Sequence, residues 1–501
     1  TSSLERVRAL VASGMDVARL NLSHGDHSDH EVVYQRIRQA SDESGHGVGI
    51  LVDLQGPKIR LGRFAEGPQE LTAGEKFIVT TRDVEGDRTI CSTTYGGLPG
   101  DVVPGHDILI DDGKVRLRVD SVTDTDVHTT VIVAGTVSNN KGINLPGVAV
   151  SVPAMSEKDV ADLRWAVHLR ADLIALSFVR NAADAEAVRA VMREEGVMLP
   201  VIAKIEKPQA IDNLDEVMEA FDGFMVARGD LGVECPLENV PFLQKQVIAA
   251  ARRNAKPVIV ATEMMDSMIS NPAPTRAEAS DVANAVLDGA DAVMLSGETS
   301  IGAYPIETVQ TMARIIESTE NHGLANMAAI DWEPVTRGGV IAKVAAEVAE
   351  RVHAKYVVAF TQSGDSARRL SRYRGSVPVL AFTTEAAVRS QLSLTWGVET
   401  FLMNPVEHTD EMVREVDEQL LQIGRVKEGD YVVIIAGSPP GITGSTNALR
   451  IHRMGDVIKE REVVYFWLPA ALESISVGEI AKLVLFNLRV AAQDWKRSHP
   501  S

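Results

Sequence analysis

Short apolar runs of strand length alternate with helix-patterned stretches along much of the chain. They are VARL (17–20), GILV (49–52), LIAL (173–176), VIA (201–203), FMVA (224–227), VIVAT (258–262) and AVML (292–295). Each run lacks polar alternation and gives way at once to polar or charged residues, the signature of parallel strands covered on both faces. Seven such runs with amphipathic segments between them predict an α/β fold built on a (β/α)8 barrel, whose active site gathers residues at the strand C-terminal ends. One strand is missing from the count. Residues 4–13 already read as helix, so the absent first strand is expected to precede Thr1.

Between the second and third runs the pattern changes to alternating Val, Ile and Thr segments (FIVTT, ILIDD, VRLRVDSV, TTVIVAG) broken by Gly, Asp and Asn. That reads as a small all-β insertion over 61–152, hung from the barrel's catalytic face as a lid. The barrel is then expected over 1–60 and 153–336. From 337 to 457 the runs YVVAF, VPVLAF and YVVIIAG alternate with helical segments, which predicts a C-terminal α/β domain with an open sheet. The tail 458–501 shifts in composition, holding two of the five Trp, and is left unassigned.

Composition narrows the partners. With 50 Lys plus Arg against 69 Asp plus Glu, the 501-residue chain carries a formal charge of −19, which argues against nucleic-acid or anionic-membrane binding. An anionic ligand must meet a local cluster of cations or a metal. The longest apolar run, 463–472, is too short to span a bilayer and contains Pro469, so no membrane association is expected. Cys91 and Cys235 make no disulfide framework, and residues 1–6 lack the basic-then-apolar secretory pattern, which leaves the cytoplasm as the expected location.

The candidate chemistry sits at the strand ends. In VIAKIEKP, Lys204 and Glu206 are two apart, so both side chains leave the strand on one side. The plainer reading of such a pair is a structural ion pair. The next strand ends in ARGDLG and places Asp230 at a similar height; two hard carboxylates on neighbouring strand ends suit magnesium, which keeps waters and substrate oxygens in its remaining positions. Thr262 (VIVATEMM), Ser296 and Glu298 (MLSGET) add hydroxyls and a carboxylate able to relay a proton, with helix capping as the structural alternative. Arg19, Asn21 and Ser23 lie at alternate positions in VARLNLSHG, followed by His24, and an arginine there would clamp a phosphoryl or carboxylate group. Together these residues predict metal-assisted chemistry on an anionic, phosphorylated substrate.

At these residues the sequence resembles the pyruvate kinase family, in its bacterial form, from about residue 1 to 455. The resemblance rests on MDVARLNLSHG, DLQGPKIRLG, KGINLPG, SEKDVADL, VIAKIEKPQAIDN, MVARGDLGVE, NPAPTRAEASDVANAVLDGADAVMLSGET and TQSGDSA. It implies a barrel with an inserted β lid and a C-terminal α/β domain, assembled as a homotetramer. It implies phosphoryl transfer from phosphoenolpyruvate to ADP, giving pyruvate and ATP in the last step of glycolysis. By the same resemblance Glu206 and Asp230 are ligands of Mg2+ (or Mn2+), Lys204 stabilises the transferring phosphoryl group, and Arg19 holds it. Thr262 contacts the substrate carboxylate and, with Ser296 and Glu298, serves proton delivery to the enolate; His24, Arg60 and Lys141 approach the nucleotide. Two loops of the last domain, with Thr361, Ser363 and Ser366 in the first and residues 436–447 in the second, imply a site for a phosphorylated allosteric effector. Asp365, where many relatives carry a cation, counts against fructose 1,6-bisphosphate and leaves a mononucleotide or sugar monophosphate open.

Two departures carry consequences. Glu263 stands where the family usually has glutamine, and the added carboxylate is expected to weaken anionic substrate binding. The potassium-dependent form carries Thr-Lys and then Glu where this chain has Leu54, Gln55 and Lys58. Lysine, glutamate and a bound ion carry together the same formal charge as glutamine and Lys58, so Lys58 is expected to replace the monovalent cation near Asn21, Ser23 and Asp53, and K+ not to be required. The competing readings are a magnesium-dependent pyruvate-forming lyase, which gives no reason for the lid, Arg60 or Lys141, and a catalytically silent phosphometabolite-binding protein.

Overall fold

The apolar runs become strands close to where the pattern places them: β1 (Val17–Asn21), β2 (Gly49–Asp53), β3 (Leu173–Leu176), β4 (Val201–Ile205), β5 (Gly223–Ala227), β6 (Val258–Ala261) and β7 (Ala292–Val293). The computed structural model describes residues 2–456 apart from 328 and 331, so the tail 458–501 lies outside the described residues. All neighbouring pairs are parallel, and each strand pairs with the next in the chain. Among the described residues β1 and β7 stand at the two edges of this sheet and do not pair with each other. The last run is shorter as a strand than as a sequence: Met294 still donates to Val260 O at 2.9 Å, but the ladder ends at Val293.

The two-residue period of the strands sorts their side chains into two layers. Val52, Ile174, Ala203, Val226 and Val260 pack outward in the large core beneath the helices. Leu51, Ala175, Ile202, Met225 and Ile259 point into the barrel and pack with one another. Continuing the inward phase along each strand leads to Arg19 and Asn21, Asp53, Ser177, and Lys204 with Glu206. The polar residues of the mouth are therefore the top of the same stacks whose lower members fill the barrel.

The covering helices start at strong caps. Ser156 and Asp159 form a reciprocal capping box at Glu157–Leu169, and Thr275 with Glu278 does the same at Arg276–Asp288; each cap satisfies backbone donors that the first turn leaves free.

The insertion forms a six-stranded sheet, in the order Ile143–Asn144, Asp107–Ile110, Val115–Val122, Asp126–Val133, Lys76–Thr80, Ile90–Ser92, with a second small sheet of Gln69–Leu71 and Gly135–Val137. It has its own apolar core around Phe77, Leu98, Ile108 and Leu117. The chain returns from lid to barrel through residues 148–153, which Arg180 clasps: its Nη1 donates to Val150 O at 3.0 Å and Val152 O at 2.8 Å, and Asp184 holds the guanidinium at 3.0 Å.

The C-terminal sheet comprises β8 (Tyr356–Phe360), β9 (Val379–Thr383), β10 (Val398–Leu402), β11 (Tyr431–Gly437) and β12 (Thr446–Arg453). Their order is β10-β9-β8-β11-β12, parallel except for the antiparallel edge strand β12. This part plugs the bottom of the barrel, since Leu394 joins the inward-facing barrel cluster. Gly49 permits the approach: a Cβ there would lie 2.7 Å from both Ser390 O and Ser393 Oγ. Among the described residues no helix is long and apolar enough to cross a membrane.

Candidate active site

At the C-terminal ends of β1, β2 and β4 four charged side chains alternate in sign. Asp53, 1% exposed, accepts from Arg19 Nε at 2.7 Å, and its other oxygen lies 3.3 Å from Lys204 Nζ. Lys204 in turn approaches Glu206 Oε1 at 3.0 Å and donates to Ser177 Oγ at 2.8 Å. Glu206 is buried, and its second oxygen accepts the Phe178 backbone N–H at 2.6 Å. Burial works against the Lys204 ammonium, yet Asp53 and Glu206 keep its pKa above the ordinary lysine value. Burial pushes Glu206 up to about 7, with Lys204 opposing and the nearby Asp230 adding to the rise.

Asp53 Oδ1 and Glu206 Oε1 face Lys204 Nζ at ion-pair distance and accept no well-aligned hydrogen bond. With Asp230 nearby, three carboxylates stand against the two cations Arg19 and Lys204, so the mouth is one positive charge short. Asp230 opens the turn Arg228–Glu234 and is half-buried. A divalent cation with hard oxygen ligands fits that deficit. Among the described residues there is no cluster of three or more His, Cys, Asp or Glu able to hold a metal by themselves.

Thr262 follows β6 with φ +68°, and Glu263 follows it at +54°. A β-branched residue rarely adopts that region, and holding it there costs about 1–3 kcal/mol. The conformation is secured from two sides. Gly229 N donates to Thr262 Oγ1 at 2.8 Å, and Arg228, paired with Asp281 at 2.7 Å, donates to Thr262 O at 2.7 Å. The Thr262 hydroxyl is thereby fixed beside the Asp230 turn, while Glu263 is exposed. Glu298, 2% exposed, accepts backbone N–H from Met265 at 3.2 Å and Ser296 at 2.7 Å. Both its oxygens thus support the loops that carry Thr262 and Ser296, and no side-chain hydrogen bond among the described residues joins the three into a continuous relay.

The remaining sequence-derived residues are more scattered. His24 is exposed on the loop after β1, where His30 bonds its carbonyl at 2.8 Å. Arg60 donates to Asn140 O at 3.0 Å and Lys141 pairs with Asp111 at 3.0 Å, so both are held by lid groups. Lys58 lies against Gly142, where a Cβ would sit 3.0 Å from its Cε. No hydrogen bond or ion pair among the described residues ties Lys58 to Asn21, Ser23 or Asp53. Asn21 Oδ1 accepts from Ser23 N at 3.2 Å, and Asp53 serves Arg19 and Lys204. In the C-terminal part Ser366 and Thr446 share a hydrogen bond of 2.7 Å, which brings the 361–367 and 436–447 loops together. Thr361 Oγ1 accepts Gly364 N at 2.9 Å, Ser363 O accepts from Arg368 at 2.9 Å, and Asp365 is paired with Arg369 at 2.6 Å.

Ser177 and Arg228 escaped the sequence reading. Ser177 is the inward residue above β3, the one strand end from which no candidate was drawn, and the phase Leu173, Ala175, Ser177 points to it. Arg228 stands two residues before Asp230, but its pairing with Asp281 crosses 53 residues and leaves no local signal.

Comparison with known proteins places these features. The chain matches the family models "Pyruvate kinase, barrel domain" over residues 1–309 and "Pyruvate kinase, alpha/beta domain" over 340–452. It is 57% identical to a protein named pyruvate kinase from Mycobacterium intracellulare over 91% of this chain and 96% of that one. It is 56% identical to one from Corynebacterium glutamicum over 91% and 95%. A crystal structure of a pyruvate kinase from Cryptosporidium parvum superposes with a TM-score of 0.85 at 36% identity, covering 90% of this chain and 94% of the other.

Replacing Lys204 with Met should leave Asp53 and Glu206 buried with one cation fewer and destabilise the protein by about 3–5 kcal/mol. Urea unfolding in the presence of a chelator checks this, and a midpoint equal to the parent's would show that Lys204 does not hold the array together.

Proposed function

The chain belongs to the pyruvate kinase family, and we propose that the mouth of its barrel performs the family's reaction with the residues that geometry gathers there. The protein is a phosphotransferase of glycolysis: it transfers the phosphoryl group of phosphoenolpyruvate to ADP and yields pyruvate and ATP. The observation that carries the site assignment is the array Arg19, Asp53, Lys204 and Glu206, in which each carboxylate turns one oxygen to Lys204 at ion-pair distance.

Glu206 and Asp230 would hold Mg2+ (or Mn2+), which when bound neutralises negative charge on the phosphoryl and enolate oxygens. Lys204, kept charged by Asp53 and Glu206, stabilises the phosphoryl group in transit, and Arg19, oriented by Asp53, binds it. Such transfer asks for little covalent work, so positioning and charge supply most of the rate. Thr262, fixed in its strained conformation by Gly229 and Arg228, meets the carboxylate end of the substrate. Ser296, on the loop that Glu298 supports, stands on the proton-delivery side. His24, Arg60 and Lys141 meet the nucleotide, the last two from the foot of the lid, where Arg60 pairs with Gly142. The working division into barrel (1–60 and 153–336), lid (61–152) and C-terminal domain (337–457) follows, with assembly as a homotetramer in the cytoplasm.

The Thr361–Ser366 loop and its neighbour at Thr446 would bind a phosphorylated effector, and Lys58 would stand in for potassium. The Lys58 ammonium has no hydrogen bond or ion pair among the described residues and its stem lies beside Gly142, which supports an ammonium able to swing toward Asp53 as the lid closes.

A lactate-dehydrogenase-coupled assay should record pyruvate only when phosphoenolpyruvate, ADP and a divalent ion are all present. Glu206→Ala or Asp230→Ala should abolish turnover while the circular dichroism spectrum persists. Pyruvate formation without ADP would point to a lyase, and none under any condition to a silent binder. Activation by phosphorylated metabolites should vanish in Ser363→Ala/Ser366→Ala with basal turnover kept; an unchanged response to every activator would remove the effector assignment. With tetramethylammonium in place of potassium the enzyme should stay substantially active, and Lys58→Glu should lose most of that activity. A parent enzyme nearly silent without potassium would show that Lys58 is no substitute.

A further inference from the structure

Asn144 belongs to the lid, is 5% exposed, and donates from Nδ2 to the barrel residue Glu234 at 3.1 Å. The same oxygen, Glu234 Oε1, pairs with Lys207, whose ammonium lies 5.8 Å from the centre of the Phe178 ring. Glu234 and Lys207 are themselves buried. Each barrel member of this group adjoins a residue of the mouth. Lys207 follows Glu206, Glu234 ends the turn that holds Asp230, and Phe178 gives its backbone N–H to Glu206. On the lid side Asn144 comes three residues after Lys141, no more than about 11 Å away along the chain.

Charge balance does not account for Asn144. Lys207 already pairs with Glu234 inside the barrel, so the carboxylate has its counter-charge without any group from the lid. What the amide adds is a fixed point between two bodies whose apolar cores do not merge. Ile143 and Asn144 pair with Ile110 and Leu109. The next residue of that neighbouring strand, Asp111, holds Lys141 at 3.0 Å and donates its N–H to Gly142 O at 3.0 Å. Lys141, Asp111 and Asn144 are thus one hydrogen-bonded piece, and the bond from Asn144 to Glu234 sets where that piece stands above the barrel. Arg180, by contrast, grips the carbonyls of Val150 and Val152 on the return segment, away from the strand that follows Lys141.

We infer that Asn144 is a positioning residue: its hydrogen bond to the Glu234–Lys207 pair holds the lid strand so that Lys141 is presented to the nucleotide. The inference rests on the nucleotide role proposed above for Lys141. The groups that grip phosphoenolpyruvate, Arg19, Lys204 and Thr262, lie at the ends of barrel strands and do not depend on this bond. A neutral amide suits the task, since it donates to the carboxylate and adds no charge to the pair. Aspartate has nearly the same shape but would set a second carboxylate against Glu234.

Steady-state kinetics of Asn144→Asp test this. KM for ADP should rise about tenfold, the effect of losing one hydrogen bond to a charged group, while KM for phosphoenolpyruvate stays within about twofold of the parent's. Calorimetric titration with ADP and magnesium, without turnover, should show the same weakening. Adding Glu234→Gln returns a donor opposite the new acceptor and leaves Lys207 one carboxylate to pair with, so the double variant should regain most of the ADP affinity. Unchanged ADP affinity in Asn144→Asp would overturn the inference, as would equal rises in both KM values, the mark of a general structural defect. Failure of Glu234→Gln to restore binding would overturn the partnership with Glu234. Lys141→Ala separates the inference from the reading beneath it: if that variant binds ADP like the parent while Asn144→Asp does not, Lys141 is misassigned and Asn144 positions another group of the lid. Should Asn144→Asp fail to fold, Asn144→Ala removes the donor without adding charge and is judged by the same two measurements.

Discussion

Asp53, at the end of β2 and 1% exposed, holds Arg19 at 2.7 Å and Lys204 at 3.3 Å, and this sharing of one carboxylate by two cations is the constraint on which the mouth of the barrel is built. Without it Lys204 would keep only Glu206 as a counter-charge, and Arg19 would lose the partner that orients it. Lys204 then carries the alternation onward to Glu206, 3.0 Å away. Removing any member exposes its neighbour to the full cost of burial, several kcal/mol per uncompensated charge. The arrangement leaves one imbalance, on the carboxylate side, where Asp230 stands near Glu206.

The barrel meets this constraint through strand phase. Leu51, Ala175, Ile202 and Met225 fill the interior, and the next inward positions up the same strands are the charged ones. A dry floor of apolar side chains thus lies directly beneath the ionic array. It lowers the local dielectric response and strengthens each pairing above it.

The opposite end of the barrel is closed by Leu394 and the loop around it, which Gly49 admits. Arg374 and Asp291 join the two parts a short way off. The helix Asp365–Ser371 runs from the Thr361–Ser366 loop toward this junction. On the lid side Arg180 clasps residues 150 and 152, and Asn144 bonds the buried Glu234, itself paired with Lys207. The lid is therefore fastened to the barrel by polar contacts while its apolar core stays separate from the barrel's, whereas the C-terminal part also packs Leu394 into the barrel.

Much of this was legible in the sequence, because apolar periodicity is a local property. Seven unbroken runs correspond to seven parallel strands, and the alternating segments between Leu61 and Val152 correspond to the lid, whose sheet is antiparallel apart from the parallel pair Lys76–Thr80 and Ile90–Ser92. The strings around Arg19, Lys204, Glu206, Asp230, Thr262 and Glu298 located the mouth, since residues just past a strand's end have nowhere else to go in a barrel. What they do to one another was not legible. Asp53 was read as part of a monovalent-cation position and is the partner of Arg19 and Lys204. Glu298 was read as a relay and is a brace for the Met265 and Ser296 backbones. Ser177 and Arg228 were not read at all. Each of these facts is a contact between strands or loops separated by tens of residues, and its energy depends on burial, which a sequence does not state. The chain's own pattern decides which side chains reach the mouth, and only the closing of strands side by side decides which charges stand within 3 or 4 Å of each other with water excluded.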